Sequence, residues 1–278
     1  MRHRYCDSEY GRLREALLCP PAEMGPGSDE PEVFADTRLA AEQHRELVRV
    51  LQGEGVECHL ISAHKSRPYQ CYTRDSCAVT PWGLLRTRMG FGARENEPGI
   101  VERYAMSLGI PLWKQVTHGT LEGGDVQILR SGLVVIGHNG VRTTEDAALQ
   151  VKSWFEECGW TCRVVGYPPT LRHIDLALGV LGRASLICCR EMLELEEVSW
   201  LAEKGYTIHE LPAEECLNMG CNILNIGGGT VIAHAHSERS NELLQRLGLR
   251  VIKVNVSEFA ADLGGIHCLV QAVRREPA

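Results

Sequence analysis

The chain reads as an α/β protein assembled from repeated strand, strand, helix, strand units. Three observations predict this class. Apolar residues switch between helical and strand periods along the whole length, hairpin turn signals recur ahead of the helical stretches, and the units return at spacings of roughly fifty residues. No proline-rich or low-complexity linker interrupts the series, so one domain over residues 1–278 is expected rather than two.

Each element has a local reason. From Asp36, DTRLAAEQHRELVRVLQGEG carries apolar residues at helical spacing behind an Asp cap and ends in glycines, and VECHLIS follows as a strand. DSCAVTPWGLLRTRMG reads as two strands about a turn at Pro81 to Gly83, then GIVERYAMSLGI as helix and PLWKQV as strand. DVQILRSGLVVIGH is a hairpin turning at Ser131 and Gly132, followed by the amphipathic helix TEDAALQVKSWFEECGW and the strand TCRVVGY. The cycle returns in HIDLALGVLGRASLICCR, in LEEVSWLAEKGYTIHEL, in the hairpin CNILNIGGGTVIAH, in the helix SNELLQRLGL and in the strand RVIKVNV.

Composition excludes several functions. With 44% hydrophobic and 23% charged residues the chain can bury a sizeable core. A net charge of −7 offers no general attraction to nucleic acid or anionic membranes. No stretch is apolar enough to span a bilayer, and the basic N-terminus lacks a signal-peptide core. A cytoplasmic location is expected, with neither a nucleic acid nor a membrane as partner. The 12 cysteines include no C-x-x-C pair and are read as reduced, mostly buried thiols.

Four polar clusters fall at element ends: YTRDSC with Arg74 and Asp75, LEGGDV with Glu122 and Asp125, RHIDLALG with His173 and Asp175, and GGIHC with Cys268. Each has an ordinary structural reading, as a solvated turn, a satisfied histidine or a surface ion pair. At strand spacing His173 and Asp175 face the same side, whereas Cys268, at the start of a last strand, leaves His267 on the opposite face. Together the clusters fit one chemistry. A thiol needs help to ionise, an imidazole serves as base and then acid, and several carboxylates in one pocket suit a planar guanidinium. Metal binding is the competing reading: His234 and His236 lie two apart in AHAHS, with Cys221 or Asp262 as a third ligand. NIGGGTVIAH lacks the Lys-Ser/Thr of a phosphate loop and reads as a hairpin.

The order Asp75, Glu-Gly-Gly-Asp at 122–125, His-Ile-Asp at 173–175 and Gly-Gly-Ile-His-Cys at 264–268 resembles the guanidino-group-modifying, or pentein, superfamily. That superfamily includes arginine deiminases, dimethylarginine dimethylaminohydrolases and amidinotransferases. The resemblance implies a five-module β-β-α-β propeller with a central active site. It implies Cys268 as nucleophile forming an S-alkylthiouronium intermediate, His173 as acid and base, and Glu122 supporting either His173 or the guanidinium. Asp75 and Asp175 would bind the guanidinium, with Asp125 a further substrate carboxylate. Arg94 in FGARENEP and Arg142 in GVRTTEDA would hold the carboxylate of an arginine-like substrate. The implied reaction is hydrolysis of a guanidino compound to a ureido product and an amine or ammonia, with no metal or organic cofactor; amidino transfer to an amine is the alternative. Val141 stands where deiminases carry glutamate, and Arg74 where dimethylaminohydrolases usually carry an acid, which leaves the substrate open. Arg74 would either meet a substrate carboxylate or offset the crowded acids. A non-catalytic relative would lack the nucleophile, so Cys268, His173 and Glu122 together favour an enzyme. A homodimer is the family-based expectation.

Overall fold

The computed structural model describes residues 5–22 and 33–278. Strands sort into five three-stranded sheets, one per module. Module I joins β1 (Leu13–Leu18) and β2 (Glu57–Leu60) to the last strand, β15 (Gln271–Arg275). Module II holds β3 (Cys77–Thr80), β4 (Gly83–Arg86) and β5 (Leu112–Gln115). Module III holds β6 (Val126–Arg130), β7 (Leu133–His138) and β8 (Thr161–Gly166). Module IV holds β9 (Leu178–Gly182), β10 (Ser185–Cys189) and β11 (Thr207–Leu211). Module V holds β12 (Leu224–Gly227), β13 (Thr230–His234) and β14 (Arg250–Val254).

In each sheet the inner and middle strands are antiparallel and the outer strand runs parallel to the middle one. A parallel neighbour needs a crossover, and a helix supplies it every time. The crossovers are α1 (Thr37–Gly53), α2 (Glu97–Ser107), α3 (Glu145–Glu157) and α4 (Leu195–Glu203). After the short α5 (Ala213–Leu217), α6 (Glu238–Arg246) serves module V. This is the five-module α/β propeller that the sequence motifs imply. Module I differs only in being stitched from both ends of the chain, Leu13 opposite Arg275 and Leu17 opposite Gln271.

Local chemistry explains the elements. Asp36 caps α1 by accepting the Leu39 N–H at 2.9 Å. Ala40, His44, Leu47 and Leu51 then form its buried stripe at helical spacing. Each buried leucine contributes about 1.5–3 kcal/mol. Modules II and III are joined by aromatic packing: the fully buried Phe155 of α3 meets Trp82 at 5.9 Å, Trp113 at 5.3 Å and Trp160 at 5.8 Å between ring centres. Such contacts add about 0.5–1.5 kcal/mol each beyond area burial. Among the described residues no helix is long and apolar enough to cross a membrane. All 12 cysteines are free thiols, and only Cys58 and Cys158 are not buried.

Two local expectations fail. Cys268 lies on a four-residue helix, α8 (Ile266–Leu269), not on a strand; α7 (Ser257–Ala261) precedes it. His173 and Asp175 flank and occupy a single 3-10 turn at Ile174–Leu176 rather than a strand. Alternating faces therefore apply to neither pair.

Candidate active site

A single position in the module repeat supplies the site. The segment leading into each inner strand makes a short turn, and these turns converge at the axis. Asp75 lies in the turn Thr73–Ser76 before β3, Glu122 and Asp125 in the lead to β6, and His173 and Asp175 in the lead to β9. Asn222 lies ahead of β12 and Cys268 ahead of β15. The turn 73–76 packs against both α8 and the turn 123–125, which in turn packs against 174–176.

His173 is held by two carboxylates. Its Nε2 is 2.8 Å from Glu122 Oε2 and its Nδ1 is 3.4 Å from Asp75 Oδ1. A neutral imidazole has one N–H, so two facing carboxylates favour the imidazolium. Burial opposes that charge, but Asp75, the hydrogen bond to Glu122 and Asp125 outweigh it and push His173 up to about 9. Burial likewise opposes ionised Glu122, yet His173, Arg94 and Arg142 pull it down to about 2. Glu122 Oε1 also accepts the N–H groups of Gly90 at 3.0 Å and Phe91 at 3.3 Å. Gly124 is required here, because a Cβ at that position would lie 2.7 Å from the His173 ring.

Cys268 sits on the opposite side. Its Sγ is 3.7 Å from Asp175 Oδ2 and accepts from Asn222 Nδ2 at 3.2 Å. Asn222 Oδ1 accepts from the backbone N–H of His267 at 3.0 Å and of Cys268 at 3.4 Å, so one amide orients the whole turn. Burial, Asp175 and Asp75 together push the thiol well above its ordinary range. Two buried oxygens near it lack a hydrogen-bond partner, Asp75 Oδ1 and Asp175 Oδ1. His267, expected on the far face, instead bonds Asp175 Oδ2 through Nδ1 at 2.8 Å.

Other predicted residues take different places. Arg94 is buried among acids, donating from Nη1 to Asp75 Oδ2 at 2.6 Å, from Nε to Glu97 Oε2 at 2.9 Å and from Nη2 to the Tyr72 carbonyl at 3.1 Å. Arg142 is partly buried over the Phe91 ring and contacts both Glu122 oxygens at 3.3 Å. Asp125 has one oxygen taken up by the protein, while its buried Oδ2 makes no hydrogen bond. Its Oδ1 accepts from Tyr167 Oη at 2.7 Å and from the Ile174 N–H at 2.8 Å, which fixes the turn that follows His173. Burial pushes Asp125 up to about 7. Arg74 offsets acids: it donates to Glu9 at 3.1 Å and to the Val126 carbonyl at 2.5 Å.

The metal reading on His234 and His236 fails. His234 is buried, accepts the Val256 N–H on Nδ1 at 3.2 Å and is pushed by burial down to about 4. Among the described residues the groups able to converge on one cation are Asp75, Glu122 and His173, and, nearer the surface, Glu15, Glu57 and His59. The first group is already neutralised by Arg94 and Arg142.

Asp262 joins three of the segments that converge on the site. It accepts Arg172 at 2.6 and 2.9 Å from the His173 segment and Tyr72 Oη at 3.1 Å from the Asp75 segment, two residues ahead of Gly264. Asn222, His267, Glu9 and Glu97 are functional neighbours that sequence reasoning missed. The repeat held a signal for Asn222, since it is the polar residue before the one inner strand to which no motif had been assigned.

Comparison with known proteins agrees with this arrangement. The arginine deiminase family model matches residues 64–204 and 192–275. The chain is 26% identical over 277 residues to the uncharacterized protein YkgA of Bacillus subtilis, covering 97% of this chain and 95% of that one. It is 27% identical to a dimethylarginine dimethylaminohydrolase of Pseudomonas aeruginosa over 235 residues, 84% of this chain and 88% of the relative. A solved Pseudomonas aeruginosa DDAH, a cysteine-to-serine mutant complexed with citrulline, superposes with a TM-score of 0.78 at 25% identity, covering 94% and 99% of the two chains. With the family model spanning all four motif clusters on a five-module propeller, the chain belongs to the arginine deiminase family.

Proposed function

We propose that the chain is a cysteine-dependent hydrolase of a guanidino compound: arginine, a methylated arginine or a related guanidino acid. One observation carries the substrate class. Asp175 Oδ1 is a buried carboxylate oxygen without a hydrogen-bond partner beside the Cys268 thiol, and Asp75 Oδ1, ion-paired with His173 at 3.4 Å, accepts no hydrogen bond either. A guanidinium presents N–H groups on two edges and would satisfy both. The hydrolases among the relatives favour water as the acceptor.

The mechanism follows from charge. In the free protein, burial and the two aspartates keep Cys268 protonated. A bound cation neutralises those aspartates and stabilises the thiolate, whose proton leaves to solvent. The sulfur attacks the guanidinium carbon, and the tetrahedral adduct expels one amine as His173 gives it a proton. The resulting S-alkylthiouronium is attacked by water, from which His173 takes a proton, and collapse releases the ureido product and the thiolate. Glu122 holds the imidazole in place throughout. We assign this activity to one catalytic domain over residues 1–278 acting as a homodimer, which light scattering checks. Twelve free cysteines suit a cytoplasmic setting.

The test uses a cationic probe. Chloroacetamidine is expected to alkylate Cys268 much faster than neutral chloroacetamide at pH 7, and Cys268→Ala to abolish the product on that peptide. Equal rates for the two probes would overturn the reading. Incubation with arginine, methylated arginines, agmatine and guanidino acids, with and without amine acceptors, then identifies the substrate. A product that forms only when an acceptor is present would replace hydrolysis by amidino transfer.

A further inference from the structure

The Cys268 side of the site contains a second imidazole between carboxylates. His267 Nδ1 lies 2.8 Å from Asp175 Oδ2, and His267 Nε2 lies 3.5 Å from Glu9 Oε2. The ring and Asp175 are buried, and the Glu9 side chain is 13% exposed. A neutral imidazole can donate to only one of the two acids. We infer that His267 is a buried imidazolium that acts as a positioning residue for the nucleophile, holding Asp175 toward Cys268 and offsetting its negative charge. This deepens the guanidino-hydrolase reading and rests on it.

The geometry gives His267 a direct route to the thiol. Asp175 Oδ2 is shared: His267 donates to it from one side, and Cys268 Sγ stands 3.7 Å away on the other. Any charge lost from His267 leaves Asp175 fully anionic beside a sulfur that must itself become anionic. Like charges at that range raise the thiol's pKa. Asp175 Oδ1, meanwhile, stays without a partner and ready for a substrate N–H. His267 thus occupies the back edge of Asp175 while the substrate takes the front.

Every charged group around His267 fits this assignment. Glu9 comes from the segment before β1 and is itself paired with Arg74 at 3.1 Å and approached by Arg275 Nη2 at 3.8 Å. Arg74 opposes protonation of His267, whereas Asp175 and Glu9 favour it, and the balance raises the imidazole above its ordinary value despite burial. On the far side His173 interacts with Asp175, and Cys6 lies near Glu9 and Arg275. Asn222 fixes the turn independently through its bonds to the His267 and Cys268 backbone. Loss of the imidazole should therefore alter the thiol's ionisation more than its location.

The experiment reads Cys268 alkylation by iodoacetamide against pH, with the modified peptide identified by mass spectrometry. His267→Asn keeps a donor near Nδ1 and removes the charge. It is expected to move the rise in Cys268 reactivity at least one pH unit upward, about a tenfold loss of rate at pH 7–8, with recovery at higher pH. Glu9→Gln is expected to move it the same way by less, and it carries the test if His267→Asn fails to fold. A profile in either folded variant that coincides with wild type, or falls uniformly at all pH values, overturns the assignment. Failure of the guanidino reading itself shows separately, as equal labelling of wild-type Cys268 by chloroacetamidine and chloroacetamide.

Discussion

Replacing Glu122 by Gln isolates the electrostatics of His173. Glu122 Oε1 accepts two backbone N–H groups, so the Gln oxygen will stay there and its NH2 will face His173 Nε2. Two donors then oppose each other, and the imidazole must lose its Nε2 proton. In the wild type the interval from 6.5 to about 9 amounts to about 3 kcal/mol in favour of the imidazolium. Glu122 is one of three acids behind it, so removing about a third of that interval moves the His173 titration down by about 0.8 pH unit, roughly 1 kcal/mol. Histidine-selective NMR titration measures this directly, and the alkaline limb of kcat/KM should move with it. The sign for stability also follows. A histidine raised on folding contributes fully below pH 6.5 and loses that contribution as pH rises through about 9. The variant's melting temperature should therefore be flatter than wild type across that window. An alkaline limb that stays in place while the rate falls would refute the reasoning.

Two further outcomes are expected. Gly124→Ala puts a methyl 2.7 Å from the His173 ring; it should cost about 1–3 kcal/mol in denaturant unfolding and lower turnover by about 100-fold through misplacement of the imidazole. Asp125, raised on folding from 3.8 to about 7, contributes stability that is complete below pH 3.8 and is lost as pH rises through 7. Asp125→Asn keeps an acceptor for Tyr167 and Ile174, so urea unfolding at pH 4, 6 and 8 should lose a pH dependence of about 3–5 kcal/mol.

Much of the architecture was legible because it is local. The hairpin at Ser131 and Gly132 and the helix containing Phe155 follow from turn residues and periodicity alone. The pairing of β1 with β15 was not, since no local signal links residues more than 250 positions apart. The four motif clusters do gather at one centre, and their residue types pointed to it. What failed was direction: a paired glycine before Ile266 suggested a strand, whereas the chain makes a helical turn, so His267 shares a partner with Cys268. The partners of Arg94 are not legible, because only the fold brings Asp75 and Glu97 within its reach. Glu9 precedes the first strand in an unremarkable acidic stretch, and only ring closure carries it to the axis.

Because β15 is seated between β1 and the neighbouring modules, the propeller has a seam, and the Cys268 thiol lies beside it. A nick or trimming that frees either edge of that seam would separate Glu9 from His267 and loosen the turn bearing Cys268 in one event. Damage there would thus disarm the nucleophile before the other four blades come apart.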